Sequence, residues 1–184
     1  MTNFCLSIDK CNSYFCRITM SKKIFVTVGT TKFDSLINTV TDAAVLQELN
    51  RQGYDKLTLQ IGNTSLDVDC RPRKGFTFIE SFHLKPSIQE YMKAADLVIS
   101  HAGAGSCLEA LAARKPLIVV TNELLMDNHQ LELAKQLFED GHLYYCTCKT
   151  LLELLATMDL SKLKPLVADK SKIIAQRIDW IVGF

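Results

Sequence analysis

Residues 97–106 read Leu-Val-Ile-Ser-His-Ala-Gly-Ala-Gly-Ser, an apolar run followed by a histidine and a turn with two glycines. The apolar run predicts a buried strand over Leu97–Ser100, and we expect a helix to begin at Ser106. A glycine-rich turn between a strand and a helix presents backbone N–H groups at the positive end of the helix dipole, where phosphate binds. We expect Gly103 and Gly105 to reach positive φ and to leave no Cβ between the peptide and an anion.

This turn differs from the two common phosphate-binding motifs. No lysine follows the glycines as it does in a P-loop, and the third glycine of the dinucleotide fingerprint is missing. The composition of the turn therefore favours a diphosphate-binding loop that has no metal-binding Ser/Thr–Lys pair. A tight strand-to-helix turn without any ligand remains the alternative.

Short apolar runs alternate with helical patterns from Lys23 onward. Six runs predict strands: Ile24–Val28, Leu57–Ile61, Phe76–Ile79, Leu97–Ser100, Leu117–Thr121 and Leu143–Cys146. Most of them are continuous rather than alternating, as in strands covered on both faces. Repeated strand–helix alternation predicts an α/β domain with a doubly wound, mostly parallel sheet.

Besides the helix from Ser106, three helices are predicted between these strands, each with a terminal signal. They are one from Asp34 to near Gly53, one opened by Pro86 and Ser87 with Glu90 at capping-box spacing, and one capped by Asp127 or Asn128 and ended by Gly141.

Composition limits the classes of function. The chain has 184 residues, 48% of them hydrophobic, and a net charge of +1, so no global charge points to nucleic acid or to a membrane surface. No apolar run reaches the 18 residues of a membrane span, and the first 20 residues do not form a signal peptide. The seven cysteines are therefore expected to be reduced. Cys146 and Cys148 fall on one face of a strand end and predict buried thiols rather than ligands, and the four histidines show no metal-ligand spacing.

A second glycine turn, Gly29-Thr30-Thr31, follows the first predicted strand. Ligands of open parallel sheets bind at the carboxyl ends of the strands, where this turn, Gly103 and Asn122 are expected to meet. His101 is expected to orient a loop or to donate to phosphate rather than to act as a general base.

Glu109 has two readings from spacing alone. With Ser106 it forms the Ser-x-x-Glu pattern of a capping box. A carboxylate in the first turn of the helix can instead accept hydrogen bonds from the two hydroxyls of a ribose.

Amides and carboxylates also cluster after the fifth strand. The residues are Asn122 and Glu123, followed by Asp127, Asn128, His129 and Gln130 at a predicted helix start. This group suits a polyhydroxylated ligand such as a sugar, but the same residue types are ordinary helix caps, and both readings stay open.

Three segments lie outside the alternating pattern. Residues 1–21 are expected to be an irregular N-terminal extension of a domain that covers 22–184. Residues 62–75 are expected to form a polar, mobile loop. A C-terminal helix is predicted at about 169–183, with Ile174, Ile178 and Ile181 on one face and basic residues elsewhere. This helix either packs on the sheet or docks a partner.

The runs Ile24–Leu36, Ala95–Glu109, Asp127–Ala134 and Gly141–Cys148 closely resemble one family. It is the family of catalytic subunits of the eukaryotic UDP-N-acetylglucosamine transferase that adds the second GlcNAc to dolichol-linked oligosaccharide. The resemblance covers about residues 22–184. More distantly the chain is similar to the donor-binding half of GT-B glycosyltransferases, which is a Rossmann-like domain of the glycosyltransferase family 28 C-terminal type.

By position, the resemblance implies a donor site made of Gly29, Thr30, Thr31, His101, Gly103, Ala104, Gly105, Ser106, Glu109, Asn122, Glu123, His129 and Gln130. The amides of Gly103–Ser106 would hold the UDP diphosphate, Glu109 the ribose, and His129 and Gln130 the sugar. The resemblance implies no cofactor and no metal. It does not identify the catalytic base, which a partner could supply.

The resemblance also implies an incomplete enzyme, because a GT-B enzyme closes two such domains around its substrates and this chain has residues for one. A membrane-anchored subunit would supply the acceptor-binding domain and recruit this chain from the cytoplasm to the cytosolic face of the endoplasmic reticulum, with Ile174, Ile178 and Ile181 docking the partner. The expected activity is inverting transfer of GlcNAc from UDP-GlcNAc to GlcNAc-diphosphodolichol. A regulatory subunit that binds nucleotide sugar without turnover is the alternative, and a nucleotide-sugar epimerase of related fold is a weaker one.

Overall fold

A six-stranded parallel sheet, in the order β3-β2-β1-β4-β5-β6, organises the part of the chain that the computed structural model describes. That part is residues 21–122 and 128–166, with only the backbone of 128–131. The strands are β1 Lys22–Thr27, β2 Tyr54–Gln60, β3 Phe78–Phe82, β4 Leu97–His101, β5 Leu117–Thr121 and β6 Tyr144–Thr147. All six predicted strands are confirmed, and so is the doubly wound parallel arrangement.

Helices cover both faces of the sheet. They are α1 Asp34–Thr41, α2 Ala43–Arg51, α3 Gln89–Ala94, α4 Ala104–Ala112, α5 Asn128–Glu139 and α6 Leu151–Thr157. One apolar core joins α1, α2 and α6 to the sheet, and a second joins α3, α4 and α5 to the opposite face. In β1, for example, Ile24 and Val26 enter the first core and Phe25 the second. Burial on both faces explains why the strands are continuous apolar runs.

Two predicted helices differ from the observed ones. The segment from Asp34 to Gly53 forms two helices, because Asp42 is extended (φ −61°, ψ 145°) and its side chain accepts a hydrogen bond from the Ala44 amide at 2.8 Å. Asp42 therefore caps α2. The capping box of Ser87 and Glu90 is also wrong: α3 begins at Gln89, and Ser87 accepts a hydrogen bond from the Gln89 amide instead.

The third strand begins later than predicted. Phe76 exchanges backbone hydrogen bonds with Arg73 in a tight turn, so pairing with β2 starts only at Phe78. The loop at 62–75 is packed rather than loosely placed, because Leu66 and Val68 lie against the first core and Thr64 is buried. This loop takes the place of a helix between β2 and β3.

On the face of the sheet that packs against α3, α4 and α5, α3 is the only described helix next to β2 and β3. A groove of about 470 Å³ lies there, lined by Lys56, Thr58, Glu80 and Phe78, whose side chain is 47% exposed.

Several of the predictions fall outside the described residues. They are the N-terminal extension before Ser21, residues Glu123 and Asp127, the side chains of Asn128, His129 and Gln130, and the C-terminal helix with Ile174, Ile178 and Ile181. The domain boundary at 21/22 also stays a prediction.

Candidate functional site

Three neighbouring strands, β1, β4 and β5, end at one edge of the sheet. The chain leaves β1 at the Gly29 turn, β4 at the Gly103 turn, and β5 at Asn122. The structure therefore brings together the three segments that the sequence placed at this edge. Gly29 has a φ of 62°, whereas Thr30 and Thr31 are exposed beside it.

The His101 ring stands between the two glycine turns. A Cβ on Gly29 would lie 2.7 Å from Cε1 of His101, and a Cβ on Gly103 would overlap the imidazole near Nε2. Nδ1 of His101 lies 3.4 Å from the carbonyl oxygen of Thr27, so it is the donor in this hydrogen bond. Burial lowers the pKa of His101, which keeps the ring neutral at pH 7 and leaves Nε2 without a proton. His101 thus orients both turns, and in this state it does not donate from Nε2.

A buried pair supports this arrangement from the β1 side. The Thr27 hydroxyl donates to Oε1 of Gln60 on β2 at 2.5 Å and accepts the Gly29 N–H at 3.0 Å. Thr27 is fully buried and Gln60 is 4% exposed. Neither residue was predicted from the sequence. The available signal is that each is a polar residue near the end of a predicted buried strand.

Gly62 and His83 complete the loop contacts at the ends of β2 and β3. Gly62 has a φ of 61°, and a Cβ there would overlap the carbonyl oxygen of Thr31. The Gly62 carbonyl lies 3.0 Å from Nδ1 of His83, and the Asn63 amide donates to the Thr31 carbonyl at 3.1 Å. No role for Gly62 or His83 was predicted from the sequence. Their function is to fix the Gly29 turn against the next two strands.

The two glycines of the 103–106 turn do not adopt the positive φ that the sequence predicted. Gly103 has a φ of −70° and is the N-cap of α4, and Gly105 lies inside that helix. Gly103 is required instead because the His101 ring occupies the space of a Cβ. Apart from the backbone of α4 itself, no atom of the described residues lies within 4 Å of a Cβ on Gly105, so that side is open for a ligand's close approach.

Helix α4 begins at Ala104, two residues before the predicted start. Ser106 is therefore a helical residue, and the capping box with Glu109 is wrong. The first helical hydrogen bond runs from the Cys107 amide to the Gly103 carbonyl at 3.1 Å. The N–H groups of Ala104, Gly105 and Ser106 thus have no partner within the helix and carry the positive end of its dipole.

Glu109 is exposed on the first turns of α4. Among the described residues no hydrogen bond or ion pair to its carboxylate is recorded, so the carboxylate is open to a ligand. Cys107, two residues before it, is buried, and burial raises its pKa to about 12. Cys107 therefore stays a thiol and is no nucleophile at neutral pH.

The remaining candidate residues lie along the same edge. Asn122 directly follows β5 and is half-buried. His129 and Gln130 lie in the first turn of α5 by their backbone, and their side chains, like Glu123, are outside the description. Lys32 forms an ion pair with Asp34 at 3.3 Å at the start of α1. Backbone amides, rather than a cluster of cationic side chains, are thus the groups this edge presents to an anion.

The described ranges, 21–122 and 128–166, contain no group of three His, Cys, Asp or Glu side chains placed to hold a metal ion. None of their helices has the length and apolar character needed to cross a membrane. Cys146 is buried, as its spacing predicted, whereas Cys148 is only half-buried and packs against the edge of the same core.

Comparisons with known proteins agree with this fold. The sequence pattern of the glycosyltransferase family 28 C-terminal domain matches residues 23–179. The chain belongs to this family. The family 28 match includes every residue of the edge just described. The fold is therefore a GT-B C-terminal, Rossmann-like domain, as the resemblance implied.

Curated relatives of this family 28 chain are named UDP-N-acetylglucosamine transferase subunit ALG13. The human relative is 54% identical over 130 residues, which are 71% of this chain and 11% of the relative. The Saccharomyces cerevisiae relative is 32% identical over 182 residues, covering 78% of this chain and 88% of the relative. The chain thus spans only about a ninth of the human protein but most of the yeast one.

Two solved structures show the same fold. An NMR structure of ALG13 has a TM-score of 0.67 and 28% identity, and the alignment covers 89% of this chain and 98% of that one. The crystal structure of Acinetobacter baumannii MurG has a TM-score of 0.59 and 18% identity, covering 86% of this chain but 45% of MurG. This domain is therefore comparable in extent to about half of MurG.

Proposed function

We propose that this chain is the donor-binding subunit of a two-subunit inverting glycosyltransferase that takes GlcNAc from UDP-GlcNAc. The observation that carries the proposal is the start of α4, where three amides without a partner in the helix lie at the end of a central strand, beside Gly105. Such a helix terminus binds phosphate oxygens without a metal. The curated relatives are named UDP-N-acetylglucosamine transferase subunit ALG13. This name is the basis for proposing UDP-GlcNAc as the donor and a partner subunit.

Each group at this edge has a defined task in the proposal. The amides of Ala104, Gly105 and Ser106 bind the diphosphate, and the open carboxylate of Glu109 accepts hydrogen bonds from the ribose hydroxyls. His129 and Gln130 contact the sugar, with Asn122 and Glu123 nearby. Thr30 and Thr31 face the cleft between the two subunits.

The reaction follows from this arrangement. An acceptor hydroxyl attacks the anomeric carbon on the face opposite UDP, and the bond from that carbon to the diphosphate oxygen breaks. The bonding electrons pass to the leaving diphosphate, whose growing charge the α4 amides stabilise. The acceptor proton goes to a base that the partner subunit supplies. His101 is not that base, because its ring is packed between two turns.

The acceptor side requires a second protein. The described fold corresponds to less than half of MurG, and we propose that a membrane-anchored subunit contributes the acceptor domain and binds GlcNAc-diphosphodolichol. The chain itself would reside in the cytoplasm and reach the cytosolic face of the endoplasmic reticulum through that subunit. The predicted helix at about 169–183, with Ile174, Ile178 and Ile181, is the proposed docking segment. No cofactor is required.

The test compares Glu109→Gln with Glu132→Gln, which changes an exposed carboxylate on α5. UDP and UDP-GlcNAc are titrated against each variant by NMR, and transfer is measured after reconstitution with the membrane subunit. We expect Glu109→Gln to weaken both binding and transfer about tenfold or more, the effect of losing one charge-assisted hydrogen bond, and Glu132→Gln to change neither. Weaker binding with normal transfer would mean that the chain is a regulator. Transfer by the chain alone would contradict the two-subunit proposal.

A further inference from the structure

The groove between α3 and the edge strand β3 is a part of the sheet that no described element covers. On β2 and β3, Leu57, Leu59 and Ile79 enter the first core, and the alternate residues point to the opposite face. These alternate residues form the floor of the groove, together with two residues of β1: Lys23, Phe25, Lys56, Thr58, Phe78 and Glu80. The groove volume of about 470 Å³ lies within the range of roughly 300–1,000 Å³ that bound groups occupy.

The groove presents apolar surface and balanced charge. The side chain of Phe78 is 47% exposed on the edge strand, and Tyr91 of α3 forms a wall by stacking on Phe25 at 5.6 Å. Two lysines and two glutamates line the groove, and one of the glutamates, Glu80, accepts a hydrogen bond from the Thr58 hydroxyl at 2.9 Å. An apolar occupant with little net charge therefore fits this groove better than a polyanion or a basic tail does.

The chain enters the described fold at this groove. The Ser21 hydroxyl donates to Asp55 at the start of β2 at 2.7 Å, and Lys23 lies on the groove floor. Residue 20 is therefore within about 10 Å of the groove, the reach of three extended residues. At the other end of the description, Leu166 lies with Leu111 near the start of β5, which β1 and β4 separate from β2. Residues 1–20 are thus the neighbouring segment of chain.

Residues 1–20 contain a regular apolar spacing, although the strand–helix alternation predicts no element there. Intervals of 4, 3, 4 and 3 residues separate five apolar side chains: Phe4, Ile8, Cys11, Phe15 and Ile18. At 100° per residue, these five fall within about 80° on one face of a helix. The charged residues of the segment, two basic and one acidic, fall outside this stripe: Asp9, Lys10 and Arg17.

We propose that residues 4–18 form an amphipathic helix that packs in the groove with this stripe against Phe78 and Thr58. The short link through Ser21 makes the helix antiparallel to β1. Its length of about 22 Å suits strands of about 17 Å, the length of five residues. A helix this short is stabilised mainly by packing of its apolar face, and the groove supplies that packing. The proposal concerns the fold of this chain and does not depend on the proposed function.

The native cysteines of the segment provide the first test. On the proposed helix Cys11 lies in the stripe, whereas Cys5 and Cys16 lie about 120–140° away from it, on the solvent side. The full chain is treated with a thiol reagent at neutral pH, and peptide mass spectrometry gives the rate at each cysteine, with exposed Cys70 as the reference. We expect Cys11 to react about tenfold or more slowly than Cys5 and Cys16, and all three to react alike in urea. Equal rates in the native protein overturn the proposal.

Variants then locate the protection. Phe78→Asp alters the groove, and Leu152→Asp, at a leucine of α6 that is 40% exposed, is the matched control. We expect the Cys11 rate to rise to that of Cys5 in Phe78→Asp and to stay slow in Leu152→Asp. Within the segment, Phe15→Asp should release Cys11 and Leu6→Asp, outside the stripe, should not. Continued protection in both Phe78→Asp and Phe15→Asp overturns the proposal.

Two other occupants of the groove are outcomes of the same measurement. Protection of Cys11 that persists on dilution supports packing within one chain, and protection that disappears on dilution assigns the groove to a second copy. Protection that appears only after a partner subunit is added assigns the groove to that partner. Either of the last two results overturns the proposal.

Discussion

The carbonyl oxygen of Thr27 accepts a hydrogen bond from Nδ1 of His101 at 3.4 Å, across 74 residues of sequence. The hydroxyl of the same Thr27 accepts the Gly29 amide. One buried residue of β1 therefore positions both glycine turns of the candidate site. Its contacts with Gln60 fix its own rotamer.

Thr27→Val should loosen this edge. The methyl group replaces a hydroxyl that pairs with Gln60 and with the Gly29 amide, so two buried groups lose their partner, and we expect a loss of about 2 kcal/mol in the free energy of unfolding and weaker UDP binding. Thr27→Ser keeps the hydroxyl and is the control. Urea denaturation and a UDP titration measure the two effects. Equal losses of unfolding free energy in Thr27→Val and Thr27→Ser would show that the hydroxyl has no role.

Gly103→Ala and Gly105→Ala should behave oppositely. A Cβ on Gly103 overlaps the His101 ring, so this variant should be destabilised by about 1–3 kcal/mol. Gly105 lies in α4 with open space around it, and alanine there should stabilise the helix by about 0.5–1 kcal/mol.

The same pair tests the UDP site. If the diphosphate contacts the Gly105 amide closely, Gly105→Ala should weaken UDP binding although it raises the melting temperature. Thermal unfolding with and without UDP measures both quantities. Unchanged UDP affinity in Gly105→Ala would remove the close approach from the proposed site.

His101 should make stability depend on pH. Burial lowers its pKa below the ordinary value of 6.5, so at pH values between the two the unfolded chain binds a proton that the native protein does not. The free energy of unfolding should therefore fall as the pH drops below about 6.5, and this part of the slope should be absent from His101→Gln. Urea denaturation from about pH 8 to about pH 5 measures this slope. The range stops at about pH 5 because the native carboxylates of Glu48 and Asp69, whose pKa values are lowered by their arginine partners, titrate at lower pH. Parallel slopes for the two proteins would contradict the prediction.

The described cysteines should differ sharply in reactivity. Cys70 is exposed, whereas burial raises the pKa of Cys107 and of Cys146 to about 12. A thiol reagent at neutral pH should therefore modify Cys70 in the native protein and reach Cys107 and Cys146 only after unfolding. Mass spectrometry of peptides from native and urea-treated samples gives the comparison. Rapid native labelling of Cys107 would show that α4 opens readily.

Most strands were predictable because they are continuous apolar runs bounded by polar residues, although β2 and β3 also carry polar residues. Burial on both faces of a parallel sheet imposes that pattern wherever helices cover the strand. Boundaries were less predictable, because they depend on partners distant in sequence. Phe76 is as apolar as Phe78, yet its hydrogen bonds to Arg73 place it in a turn.

The position of the candidate site was also predictable, since the carboxyl ends of neighbouring strands share one edge. The reasons for its glycines were not. Gly103 looked like a residue chosen for positive φ, but it is needed because the His101 ring fills the space beside it. The partners Thr27 and Gln60 lie 33 residues apart, and spacing along the chain gives no sign of their contact.

Among the described residues the first strand, β1, is a central strand, paired with β2 on one side and, over Ile24–Thr27, with β4 on the other. A force applied at Lys22 must shear both ladders together before any part of the sheet gives way. A force applied at residue 166 meets α6 and the edge strand β6, which can separate one after the other. Unfoldases that pull from the amino end should therefore stall where those that pull from the other end proceed.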